Sequence, residues 1–387
     1  MSRLVTERLP MKPHRLLPLL APVFAVLLAS VGLSSAQEPP PAASEDNLGP
    51  LQQKADVTPD DQEMIRGYVV KRVGLIVGEE AGAAQQGADE LRKAYDGGDA
   101  FKRAYVAVCL DVFGNAVRKA DLAPASRMLA IVNTFNSPDA VPLLIEALQD
   151  ERVAVQAAGA VGLSALREKL AAAGRDPYVR AVTALKDAGK RARSREALRC
   201  IYTALDCSAL ANAPDPKANA AAVLEVLDER AKQYAGGELY GAGAEDAGLR
   251  VAAALAQHLD DAQRKQLTTV TATLMKRALV EYLHGQLIRV RDKTGTPEQI
   301  ELRNGMERLV IEAEKLLTNQ LKPQTGPAVA EAMRKANATE MAKEWKKWVP
   351  VLQRETGQDF ALDEAKTAAA AAEAMRKPRA KKDKDKE

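Results

Sequence analysis

The stretch SPDAVPLLIEALQDERVAVQAAGAVGLSALRE, residues 137–168, decides how the rest of the chain is read. Its apolar spacing predicts two helices, of about eleven and about fifteen residues, joined by a polar turn at Asp150-Glu151-Arg152. On the second helix Ala157, Ala158, Gly159, Ala160 and Gly162 carry little or no side chain, which lets a neighbouring helix come close. Such a pair is too thin to bury its own apolar side and needs another pair stacked on it.

Within this stretch Leu143, Leu144 and Leu148 close the first helix, Asp150 marks the acidic turn, and Val155, Ala158 and Leu163 follow on the alanine-rich second helix. That order resembles a HEAT repeat of the type found in phycobilisome-lyase-like proteins. The resemblance implies an all-α fold, an α-solenoid of antiparallel helix pairs of the HEAT or armadillo kind. Gln156 stands where the family usually has arginine, a departure that bears on the interhelix Asp-to-Arg ladder. Echoes continue downstream: Tyr178, Val182, Ala184 and Leu185 repeat the first helix at an offset of 37, and Ala197, Ala204 and Leu205 repeat Ala158, Ala165 and Leu166 at 39. A third pair can be drawn from Asn219–Leu227 and Leu249–Leu259, separated by a glycine-rich insertion from Gly236 to Gly248. The resemblance is carried by 137–168 and extends in weaker form to about 259, giving an expected repeat array over 58–259.

Composition agrees with helices. Aromatic residues are only 4% of the chain, and no run of β-branched residues alternates, so helices rich in Ala, Leu, Glu, Lys and Arg must supply the core. Upstream of the array, Arg3, Arg8, Lys12 and Arg15 precede the uncharged run Leu16–Leu33, and Ser34-Ser35-Ala36 then lead into Gln37-Glu38-Pro39-Pro40-Pro41. This is the order of a secretory signal peptide over 1–36, with cleavage expected after Ala36 and the mature protein periplasmic or extracellular. An uncleaved anchor is the competing reading, since the run approaches the length needed to span a bilayer; Pro18 and Pro22 inside it argue against that. Met11 serves as well as Met1 for a start.

The Pro/Ala-rich leader 37–57 is expected to be disordered. Thr58-Pro59, with Asp60, Asp61 and Glu63 behind, reads as a capped helix start, and Gly78–Ala88 as a loosened stretch. Helices are expected from about Asp99 and from Pro124 to about Phe135. A C-terminal helical cap region over 260–366 comprises about Asp260–Val290, Pro297–Leu321 with a capping box at Thr296-Pro297-Glu298-Gln299, Val329–Ala336 and Thr339 to about Arg354. Residues 367–387, alanine-rich and then lysine-rich, are expected to be a disordered tail.

Charge does not imply a nucleic-acid partner, and none is expected: the net +3 is matched by the +3 of residues 1–36, leaving the mature chain near zero. No stable membrane span is expected after signal cleavage. Cys109, Cys200 and Cys207 are too few for a disulfide framework and read as small packed residues. No metal, cofactor or catalytic residue is assigned: CxxC and HExxH are absent, and Glu281 with His284 forms a single ExxH where a di-iron site needs two. Two contact surfaces stand out. One is the basic turn Lys186, Lys190, Arg191, Arg193, Arg195 and Arg199, entering a helix capped by Ser194, where guanidinium and backbone N–H groups can hold an anion. Its bland reading is a solvated interhelix loop. The other is Trp345, Lys346 and Trp348, a surface anchor or else a packed stripe, since Met341, Trp345 and Trp348 recur at helical spacing.

The function expected from these features is an exported, non-enzymatic protein-binding or scaffolding module acting on another envelope or extracellular protein. A lyase or hydrolase with an acidic groove and a structural envelope protein tethered by its basic tail are the alternatives.

Overall fold

The computed structural model describes residues 46–375 apart from 286, 291–294, 324, 325 and 327. The signal peptide expected over 1–36, the first part of the leader and the lysine-rich tail from 376 lie outside the described residues. Among the described residues the protein is all-α, with seventeen α-helices and no strand.

The chain enters through α1 (Gly49–Gln52), α2 (Pro59–Val77) and α3 (Ala81–Ala94), followed by α4 (Asp99–Lys119) and α5 (Leu122–Phe135). The pair singled out in the sequence is α6 (Val141–Ala147) and α7 (Val153–Ala165), shorter than expected because a 3-10 turn at Pro138–Ala140 takes the first residues. After α8 (Arg167–Ala173) come α9 (Arg175–Arg191), α10 (Arg195–Leu205), α11 (Pro216–Ala235) and α12 (Glu245–Leu255). The C-terminal part holds α13 (Asp261–His284), α14 (Pro297–Leu321), α15 (Val329–Arg334), α16 (Ala338–Thr356) and α17 (Glu364–Met375).

Consecutive helices pair, α2 with α3, α4 with α5, α6 with α7, α9 with α10, α11 with α12 and α13 with α14. Across pairs the contacts run in two series: α3, α5, α7, α10, α12 and α14 each touch the next, while α9, α11, α13 and α16 do so on the other side. One continuous apolar core results, from Leu48 to Phe360. Close approach depends on the small residues of α7, as expected. A Cβ on Gly159 would lie 2.8 Å from the Leu144 carbonyl oxygen, so α6 and α7 meet backbone to backbone there.

Capping follows the sequence closely. Thr58 and Asp61 exchange side-chain and backbone hydrogen bonds around the start of α2, and Thr296 with Gln299 does the same for α14. At the polar turn Arg152 binds Asp150 two residues back (Nη2 to Oδ2, 2.5 Å) and donates to the Val117 carbonyl at the end of α4 (2.9 Å). Gln156 donates to the Leu148 carbonyl (3.1 Å). Arg152, and not Gln156, thus joins the α6–α7 turn to the end of α4.

Several expectations are corrected. The leader is not structureless to 57: Leu48 and Leu51 are buried, and Gln52 accepts a bond from the Gly98 N–H (2.7 Å). Two apolar side chains at a helical step suffice to dock this segment against α4. The stretch Gly78–Ala88 is not loose, because α3 begins at Ala81 and buries Ala84, Gly87 and Ala88 under α2. Helix α13 ends at His284, short of Val290, at Gly285. The tail expected to be disordered from 367 continues α17 to Met375, with Thr367 buried beside His284.

Trp345 and Trp348 are not a surface anchor. They are 1% and 0% exposed, and their indole N–H groups donate to the Phe360 carbonyl (2.9 Å) and to Glu314 (3.2 Å). Lys346 alone of that trio faces solvent, paired with Glu364 (2.7 Å). Glu314 also accepts from the Val329 and Ala330 N–H groups, both at 2.9 Å, and so clamps α15 to α14; burial pushes its carboxyl above the ordinary range despite these donors.

Candidate functional site: a basic cleft beside the glycine-rich insertion

The basic turn predicted from the sequence lies between the end of α9 and the start of α10, opposite the glycine-rich insertion. That insertion is shorter than expected, 236–244, because α12 begins at Glu245 and takes Gly248 into the helix, where only hydrogen fits against the Tyr202 ring.

Two arginines and two acids hold the insertion in shape. Arg230 on α11 is 1% exposed at its side chain and meets Glu245, 0% exposed, at 2.8 Å. Glu245 also accepts from Tyr234 Oη (2.7 Å) and from the Gly243 N–H (3.0 Å). Arg230 donates further to the Tyr240 carbonyl and to Gln233 Oε1. Burial opposes its charge, yet Glu245 keeps the guanidinium above its ordinary pKa. From the other side Arg199 donates to the Gly243 carbonyl (3.0 Å) and to Asp246 (2.8 Å). Gly243 has φ +87, and a Cβ there would lie 2.6 Å from Gly305 Cα of α14, so the insertion is pressed directly onto that helix.

The predicted residues divide into two groups. Arg199 turns to Asp246, which Arg250 (3.2 Å) and Arg308 (3.7 Å) also approach, and Arg195 pairs with Glu301 on α14. Burial, reinforced by Arg199 and Arg195, pushes Arg308 below its ordinary pKa although Asp246 opposes this. These arginines serve contacts between α10, α12 and α14. Nor is the start of α10 an open anion receptor: Ser194 caps the Ala197 N–H and donates to Glu196 (2.6 Å), whose carboxyl is held below its ordinary range by Ser194 and by its own N–H.

Lys190, Arg191 and Arg193 form the other group. With Gln233, Glu238 and Tyr240 they line a cleft of about 340 Å³. Lys190 meets Glu225 at 3.2 Å, as does Lys186 at 3.4 Å. Arg193 lies 5.3 Å from the centroid of the Tyr240 ring, which is 55% exposed. Gln233 donates to the Lys190 carbonyl (3.3 Å), tying the two walls together. Tyr240, Gln233 and Arg230 were not singled out in the sequence. The glycines around Tyr240 were the only local signal, and pairing with a turn 47 positions away leaves no trace in spacing.

No protein-family model matches this chain, and no curated protein is similar to it. The likeness of residues 137–168 to a HEAT repeat thus rests on their own pattern. Elsewhere, a larger depression of about 500 Å³ near the start of α13 mixes Asp261 and Glu355 with Arg264 and Lys265 and carries no field of one sign. Glu281 pairs with Arg277 (2.6 Å) and His284 meets Thr367 (3.3 Å), so each half of the ExxH motif is engaged within the fold. Cys109 and Cys207 are buried and Cys200 half-buried, all as free thiols. Among the described residues no helix is long and apolar enough to cross a membrane.

Proposed function

We propose that the mature chain is an exported HEAT-like α-solenoid that acts, without catalysis, as a protein-binding or scaffolding module in the cell envelope or outside the cell. The observation that supports this reading is the serial contact of α3, α5, α7, α10, α12 and α14, each with the next. Stacked layers of this kind offer a long surface on which side chains from several pairs can meet one partner. Export is supported by the basic residues before the uncharged run Leu16–Leu33 and by the small residues ending at Ala36.

Two measurements test it. Mass spectrometry of the chain recovered from the envelope and medium is expected to find Gln37 as its first residue; recovery from the cytoplasm alone, with residues 1–36 retained, overturns the export reading. Affinity capture with the mature chain from an envelope extract, followed by reciprocal capture with the purified partner, is expected to return a stoichiometric protein. Retention no greater than on a charge-matched helical control overturns the binding reading.

A further inference from the structure

The cleft at the end of α9 carries more positive charge than its own acids answer. Arg191 and Arg193 are exposed and make no ion pair among the described residues, while Lys190 shares Glu225 with Lys186. Glu238 is the one acid in the lining, on the insertion side. The walls are preformed. Arg230 and Arg199 clasp the insertion from opposite sides, Gln233 is fixed by Arg230 and by the Lys190 carbonyl, and the Tyr240 ring lies 5.3 Å from the Arg193 guanidinium without neutralising it. A site organised before its ligand arrives loses little ordering entropy on binding.

We propose that this cleft holds neighbouring carboxylates of an acidic segment of a protein partner, Arg191 and Arg193 gripping the carboxylates while Tyr240 lies against the apolar stems. The proposal rests on the protein-binding reading above and names the chemistry that partner presents. Two observations favour a peptide over a free mineral anion. The exposed ring of Tyr240 offers an apolar face that a mineral anion leaves unused. The amide end of α10, which would strengthen a phosphate site, is already filled by Glu196 and Ser194. At about 340 Å³ the cleft is near the small end of ligand sites, room for one or two side chains.

The test uses the mature protein and a fluorescently labelled hexaglutamate peptide at low and high salt, with hexaglutamine and inorganic phosphate as the other arms. Saturable binding of hexaglutamate, weakened by salt and absent for hexaglutamine, is expected. R191Q/R193Q should lose about tenfold or more, Y240A a smaller factor, and E238Q should bind severalfold tighter. Arg191 and Arg193 make no ion pair among the described residues, and Arg193 meets only the exposed Tyr240 ring, so thermal melting of the double variant should stay close to wild type and separates lost binding from lost fold. Unchanged binding by R191Q/R193Q overturns the proposal, and so does inorganic phosphate that competes at concentrations where hexaglutamate saturates, which marks a small-oxyanion site. A captured partner that R191Q/R193Q retains fully also overturns it and leaves the scaffold reading standing.

Discussion

Arg230 and Glu245 show how much can depend on one residue pair. Both are withdrawn from solvent, and between them they satisfy Tyr234, Gln233 and the backbone of Tyr240 and Gly243. Removing one partner leaves the other's charge buried and alone, which generally costs about 3–5 kcal/mol. Glu245→Ala is therefore expected to lower unfolding free energy by an amount of that order in urea titration and to make the insertion sensitive to proteolysis near Tyr240; a loss below about 1 kcal/mol would show that the insertion does not rely on this pair. Gly243 depends on different physics. Its positive φ and its contact with Gly305 exclude a side chain, so Gly243→Ala should destabilise by about 1–3 kcal/mol, read from the same titration. A neutral result means that α14 can shift away. At this scale the tryptophans are instructive. Their spacing with Met341 was compatible with a packed stripe and with a surface anchor, and what decides for packing is that Phe360 and Glu314 lie opposite to receive the indole N–H groups.

Elements begin where their chemistry says they begin. Thr58-Pro59 and Thr296-Pro297 both place a hydroxyl acceptor at the N-cap, proline where no N–H is needed, and a side chain three residues on that returns the bond. Thr296→Ala should cost about 1 kcal/mol and increase amide hydrogen exchange in the first turn of α14. Exchange unchanged in that turn would mean that packing against α12 and α13 alone fixes its start. Element ends were harder to read. Helix α3 passes through Gly82 and Gly87 in a segment read as loose, because α2 lies against it so closely that a Cβ on Gly87 would come within 2.8 Å of the Arg72 carbonyl oxygen. Low intrinsic helix propensity is overridden there by burial. The segment 46–57 is ordered for the same reason, since Leu48 and Leu51 count for little in a hydropathy profile and much once α4 is beside them.

On the scale of the whole molecule, stability is shared out along a series of contacts. A chain ended after Cys207 loses the cover that α11 and α12 give to Ile201, Tyr202 and Leu205. Such a fragment is expected to bind a hydrophobic dye and to self-associate in sedimentation; a monodisperse, dye-silent fragment contradicts serial burial. Acid should act on many layers together. The carboxyls of Asp61, Asp150 and Asp215 are held below the ordinary 3.8, the largest cause being the hydrogen bond from Lys54, Arg152 and Arg175 in turn. A carboxyl lowered on folding stabilises the fold above its unfolded pKa and loses that contribution as pH falls through the lowered value. Melting temperature should accordingly fall steeply below about pH 4, and Asp61→Asn combined with Asp150→Asn should be less stable at neutral pH with a flatter acid limb. An acid limb as steep as that of wild type would place the sensitive groups elsewhere.

The sequence by itself determined that the chain is built from helices, where many of them start, and that residues 137–168 fold as a close pair, because periodicity, caps and small residues act within a few turns. It also singled out the basic run 186–199, yet the sorting of that run was beyond it. Whether an arginine is left without an acid, like Arg191 and, beside the Tyr240 ring, Arg193, or is tied to one, like Arg195 and Arg199, depends on Glu301, Asp246 and Tyr240. Those partners arrive from other helix pairs and from the insertion. Electrostatic pairing is set by distance in space, and only the packing of helices far apart in the chain brings these residues within reach.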